Sequence, residues 1–389
     1  MKKQNILTYG FLIMTLMLLF SMDVKSKSKI FQSEFICNDT KESNLNTENI
    51  IKTLERVANW QIANQRNTKR HDLSWINATL YIGLMDLSKI SEEIKYRELL
   101  LNIGWKYQWQ PLYRMYMADD IAVSQMYLDM YRTGGDERMF NPTQARTEWI
   151  INHPSISNFK YGNELLTKER WSWCDALFMA PPVYAQMYNI TKDVKYLEFM
   201  DREYRMTYDL LYDKQEKLFY RDHNYFDKRE NNGQKIFWGR GNGWVLGGLV
   251  RILKELPETS QSRIFYAQLF AEMCERITTL QDEHGYWHAS MLDIETYSNP
   301  ETSSSSFFVY ALAYGINSGL LDREKYLPVA LKGWKALEEA VSPEGKLEWV
   351  QQVGGNPQFI KKEMTETYGV GAFLMAGTEI YRLSERANK

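Results

Sequence analysis

Cysteine, histidine and surplus charge are all scarce in this chain of 389 residues, and each scarcity removes a class of chemistry. The three cysteines, Cys37, Cys174 and Cys274, form no CxxC pair and no ligand spacing, which excludes a disulfide scaffold and a zinc site. The five histidines, His71, His153, His223, His284 and His288, contain no HExxH pattern. Gly285 and its aromatic neighbours make the His284-to-His288 segment read as strand or turn, not as a helix that would set both rings on one face. Lys+Arg 47 against Asp+Glu 49 leaves a formal charge of -2, so no basic surplus marks a nucleic-acid partner. Nothing in the pattern asks for a metal or a cofactor.

Long apolar runs are missing too, apart from one near the N-terminus. There Lys2 and Lys3 precede an apolar stretch from Ile6 to Phe20, too short for a comfortable membrane span. A basic head followed by a short apolar run reads as a secretory signal peptide over residues 1–22, or as an uncleaved anchor, since no clean small-x-small cleavage site follows. Residues 23–45 are polar and read as a linker, leaving residues 46–389 as a single folded domain. An exported protein is expected, periplasmic or extracellular, with no stable membrane insertion unless the leader stays attached. The oligomeric state is open.

Aromatic residues are abundant, with 12 Trp and 25 Tyr, which serve either as core-filling rings or as flat faces for sugars. Apolar residues recur with helical period from about residue 46 to 385, as in the stripe Ile50, Leu54, Val57, Ala58. Asn141 as cap and Pro142 at the first helical position open one such segment. About twelve segments fit, separated by Gly, Pro, Asp and Asn, with short strand-like pieces at 218–225, 285–289 and 346–351. The expected fold is all-α, an (α/α)6 barrel of six helical hairpins with a few short strands in loops. Helix count alone leaves an open solenoid as the alternative.

Several segments can carry chemistry. Asp119 and Asp120 open a helix, where one can serve its N-terminus while the other points elsewhere. Asp175 lies between Trp171, Trp173, Cys174 and Phe178, just ahead of a helix that Pro181 and Pro182 announce. A carboxylate among rings is costly to desolvate unless paired or protonated, and the same burial raises its pKa toward that of a general acid. Glu363 and Glu366 read as surface or capping residues. The stretch FWGRGNGWVLGGL sets Trp238, Arg240 and Trp244 among glycines. It reads as a wall on which Arg240 forks a carboxylate while Trp238 and Trp244 offer ring faces.

The segments WCDALFMAPP, FWGRGNGWVLGGLVRIL, YSNPETSSSSFFVYALAYGINSGLL and TETYGVGAFLMAGTEIY, in that order, resemble the unsaturated rhamnogalacturonyl hydrolases of glycoside hydrolase family 105. The unsaturated glucuronyl hydrolases of family 88 are a sister family. The likeness runs from Thr47 to Leu383. It implies the (α/α)6 barrel and removal of a terminal 4,5-unsaturated uronic acid from lyase-generated oligosaccharides, by hydration of the C4=C5 bond without cofactor. It implies Asp175 as acid/base and Asp120, preferred to Asp119, as second carboxylate. Trp173 and Met179 match positions around the acid, Trp238 and Arg240 the substrate loop, and Ser74 with Trp75 an N-terminal pocket segment.

Two departures concern recognition of the next sugar. No histidine stands some ten residues before Asp175, and His223 or Arg221 stands where a second family histidine is expected. Galacturonyl and glucuronyl substrates both stay open. Competing readings are another (α/α)6 sugar enzyme, an epimerase or a lyase, and a non-catalytic glycan-binding module. The module would keep the aromatic wall but would have no need of a buried Asp175.

Overall fold

Why the helices form two rings follows from their burial. The computed structural model describes residues 46–64 and 70–387, so the leader, the linker and Cys37 lie outside the described residues. Among the described residues, twelve helices run to eleven residues or more. They are α1 (Thr47–Asn64), α2 (Trp75–Leu87), α3 (Lys95–Lys106), α4 (Ser124–Gly134), α5 (Asn141–Asn152) and α6 (Pro181–Thr191) in the first half. The second half holds α7 (Val194–Leu211), α8 (Gly239–Glu255), α9 (Gln261–Thr278), α10 (Thr302–Asn317), α11 (Arg323–Glu339) and α12 (Thr367–Ala387). Odd-numbered helices bury one stripe; α1 buries Ile50, Leu54, Val57, Ala58 and Gln61, the stripe read from sequence plus one glutamine. Even-numbered helices are buried nearly all round: α10 buries every residue, and α2 all but Trp75. A helix without a polar face belongs inside.

The packing order closes a circle. α2 touches α4, then α6, α8, α10 and α12 follow in turn, and α12 returns to α2. α1, α3, α7, α9 and α11 pack outside α12, α2, α6, α8 and α10 respectively, while α5 packs on α7. This is the closed (α/α)6 barrel, and the α12–α2 contact separates it from an open solenoid. That seam is a glycine crossing. A Cβ on Gly371 would stand 2.2 Å from the Thr79 carbonyl oxygen, and one on Gly83 would stand 2.4 Å from the Gly371 carbonyl oxygen. Only glycine lets two backbones meet this closely.

Irregular structure gathers in the connections. β1 (Tyr212–Asp213) pairs antiparallel with β2 (Leu218–Phe219), and single bridges join His288 to Pro300 and Val341 to Leu347. The expected strand pieces are therefore present but much shorter than the sequence suggested, and residues His223–Tyr225 form a 3-10 turn instead. Asn141 and Pro142 sit inside α5, whose capping residue is Phe140, one position earlier than expected. Cys174 and Cys274 are buried free thiols. No described helix is long and apolar enough to cross a membrane.

Candidate active site

The inner helices begin at one end of the barrel, and the connections leading into them build a cleft of about 320 Å³. Ser74 caps α2 and Trp75 opens it, placing Trp75 in the cleft wall, where it stacks on Tyr368 at 5.4 Å and meets Trp244 edge-on at 5.8 Å. The one-turn helix Ala118–Ile121 delivers Asp119 ahead of α4. A second one-turn helix, Ala176–Met179, has Asp175 as its capping residue and precedes α6, whose first positions are Pro181 and Pro182. Trp173, Asp175 and Met179 all line the cleft. Tyr161, from the long α5–α6 connection, faces Trp173 with ring centroids 5.7 Å apart.

Both carboxylates gain proton affinity from burial, and the charge of Asp175 adds to the rise at Asp119. Burial pushes the Asp119 carboxyl up to about 7, with the negative charge of Asp175 adding to it and Arg114 opposing. Asp175 is also raised by burial, but Arg221 and Arg240 draw it back toward the ionised form. Its Oδ2 lies 3.6 Å from Arg221 Nε and accepts from the Cys174 thiol at 3.5 Å. With Asp119 pushed up to about 7, the cleft keeps a proton near neutrality. That is what a general acid requires.

Asp120 does not share the cleft. Its carboxylate is fully buried and accepts from the Arg114 backbone N–H at 2.9 Å and from the Arg114 guanidinium at 2.5 Å and 3.1 Å. The preference for Asp120 over Asp119 is thereby corrected. Asp120 anchors the loop that ends α3's connection, and its neighbour presents the free carboxyl, since adjacent helical residues point apart.

The glycine-rich stretch also differs from expectation. Arg240 has no exposed surface, and its two Nη groups donate to the carbonyls of Gln351 and Gln352 at 2.9 Å and 3.0 Å. Its guanidinium lies over the rings of Trp238 at 4.4 Å and Tyr368 at 4.8 Å. Trp238 is buried and donates to Gln351 Oε1 at 3.1 Å; Trp244 is buried between Phe178 and Phe307. These three side chains do not form a docking wall. They tie the start of α8 to the 351–352 loop, and Gly239 lets the backbone pass His288, whose carbonyl a Cβ would meet at 2.3 Å.

Among the remaining expected residues, Arg221 lines the cleft and His223 does not; its Nδ1 is buried without a hydrogen-bond partner. The Ser74 hydroxyl is likewise buried without a partner and caps by position alone. Glu366 stands immediately before α12, accepts from the Gly369 and Val370 backbone, and pairs with Arg70 at 3.4 Å, so its capping role holds; Glu363 is exposed. Tyr161, Met117 and the 353–355 loop complete the lining. They carried no sequence signal, because they reach the cleft only through tertiary placement of loops.

Comparison with known proteins decides the lineage. Residues 53–384 match the family model of Glycosyl Hydrolase Family 88. The chain belongs to that family. It is an O-glycosyl hydrolase whose double helical ring agrees with the family's solved members. A relative named unsaturated 3S-rhamnoglycuronyl hydrolase, from Formosa agariphila, is 39% identical over 324 residues, covering 80% of this chain and 85% of the relative. A solved family 88 glycosyl hydrolase from Bacteroides vulgatus superposes with a TM-score of 0.76 at 29% identity, covering 87% of this chain and 99% of that one. A solved structure named polysaccharide lyase superposes at 0.79 with 31% identity, covering 87% and 98%. In this family 88 hydrolase, then, the cleft at the mouth of the inner ring is the place to look for its chemistry.

Proposed function

We propose that this hydrolase removes a 4,5-unsaturated uronic acid from the non-reducing end of oligosaccharides, with rhamnose as the adjoining sugar. The observation that carries the reading is the Asp119–Asp175 pair in a cleft lined by rings, both raised by burial and Asp119 to about 7. The name of the Formosa agariphila relative supports the substrate class. In the reaction Asp175 donates a proton to C4 of the enol ether, and water adds at C5 as a carboxylate takes its proton. The new hemiketal opens by breaking its bond to the ring oxygen, C5 becomes a ketone, and C1 expels the sugar next along. Because the proton goes to carbon and the glycosidic oxygen is untouched in that step, the spacing rule for retaining and inverting glycosidases does not govern this site. Asp119 is the second carboxylate, its own proton affinity raised by burial and by the charge of Asp175.

The structure named polysaccharide lyase raises a second reading, β-elimination, which creates a C4=C5 bond where hydration destroys one. Ultraviolet absorbance of the conjugated bond separates them by sign. Incubation with lyase-generated rhamnoglycuronan or rhamnogalacturonan oligosaccharides is expected to lower the absorbance; a rise on the intact polysaccharide would establish the lyase. Export is proposed from Lys2, Lys3 and the 6–20 apolar run, and recovery of the enzyme solely in the cytoplasmic fraction of its host would refute it.

A further inference from the structure

We propose that Arg221, and not Arg240, holds the carboxylate of the terminal sugar and selects the acid over its uncharged ester; this rests on the hydrolase reading above. A uronate entering a cleft that already holds Asp119 and Asp175 meets like charge in a poorly solvated space, so a cation must offset it. Among the residues lining the cleft, Arg221 is the cation. Arg240 has no exposed surface and is not part of the cleft lining, whereas Arg221 keeps part of its side chain open to the cleft.

The setting of Arg221 fits this task. Its guanidinium lies 4.0 Å over the Tyr161 ring, Nη1 donates to Asp222 at 2.7 Å, and Nη2 donates to the Tyr161 hydroxyl at 3.1 Å. These contacts lock the plane, which a bound carboxylate then finds already oriented. Nε, 3.6 Å from Asp175, is buried and lacks a hydrogen-bond partner. On the other side a Cβ at Gly355 would stand 3.4 Å from Cζ, so a glycine there keeps the guanidinium uncovered.

Arg221 faces Asp175, Asp222, Tyr161 and Tyr225; Asp175 faces Arg221, Arg240, Asp119 and the Cys174 thiol. A substrate carboxylate beside Arg221 offsets the charge that draws Asp175 toward ionisation. Binding of the acid thus favours the protonated form of Asp175 that the first step uses.

The test compares an unsaturated uronyl disaccharide with its methyl ester on wild type, Arg221→Gln and Arg221→Lys, by kcat/KM and by calorimetric binding. Wild type is expected to favour the acid by about tenfold or more, the equivalent of one modest charge contact. Arg221→Gln erases that preference, chiefly through KM, and Arg221→Lys keeps it. The alkaline limb of kcat/KM for the ester moves to higher pH in Arg221→Gln, which removes a positive charge beside Asp175. It moves to lower pH in Asp119→Asn, which removes a negative one. An Arg221→Gln enzyme with the wild-type acid-to-ester ratio, or with an unmoved limb, overturns the assignment. Should that variant fail to fold, equal wild-type affinity for acid and ester overturns it instead. Absent turnover with acid-selective binding contradicts hydrolysis and leaves Arg221 in place.

Discussion

Asp175→Asn is expected to lower turnover of unsaturated uronyl oligosaccharides by on the order of 10² to 10⁴, the range that loss of a positioned acid usually costs. Asparagine matches aspartate in shape, so the capping position ahead of Ala176–Met179 and the contact with Cys174 are preserved in size. What disappears is the ionisable carboxyl whose proton affinity burial raises. Substrate affinity should change far less than kcat, because the variant removes an interaction made in the transition state. The check is initial rate and KM on the same oligosaccharide, with circular dichroism to show an intact fold. Residual activity within threefold of wild type, in a folded variant, would move the acid elsewhere in the cleft.

The second large effect lies in the seam that closes the ring. Gly371→Ala places a carbon 2.2 Å from the Thr79 carbonyl oxygen, and the obstacle is backbone, which cannot swing aside. α12 and α2 must separate along a crossing that both inner and outer layers lean on. Overpacking costs about 1–3 kcal/mol where side chains give way, and more is expected here, against a total stability of about 5–15 kcal/mol. Gly319→Ala is the control. Gly319, unlike Gly371, carries a φ of +75°, but a Cβ there meets nothing within 4 Å, so only backbone strain of about 1–2 kcal/mol applies. Denaturant midpoints should fall much further for Gly371→Ala than for Gly319→Ala. Equal midpoints would mean that the crossing tolerates a methyl and that ring closure does not depend on glycine.

Much of the architecture was legible in the chain. Helical periodicity and punctuation yielded twelve long helices, and the paired prolines that open α6 correctly put Asp175 at a helix mouth. Closure was not legible, because it depends on Gly83 meeting Gly371 across nearly the whole chain. The site was legible where local chemistry was unusual, as with an aspartate among tryptophans. It misled where one composition serves two ends. Arg240 beside two tryptophans has the makings of a carboxylate fork, yet the same guanidinium can satisfy loop carbonyls, and only the placement of Gln351 and Gln352 decides which. Asp119 and Asp120 differ by one residue, or about 100° around a helix, and that rotation sends one to the cleft and the other to Arg114. Arg221 entered only as a stand-in for an absent histidine, although it is the cation of the cleft lining.

The measurement that tests the central claim most directly uses an unsaturated uronyl group joined to its neighbour through sulfur in place of oxygen. Protonation at C4 does not involve the bridging atom, so the hydration account predicts loss of absorbance at a rate within about tenfold of the oxygen-linked substrate, and no loss with Asp175→Asn. Complete resistance of the sulfur-linked substrate, with the oxygen-linked one cleaved normally, would show that the acid serves the glycosidic atom and would contradict the account.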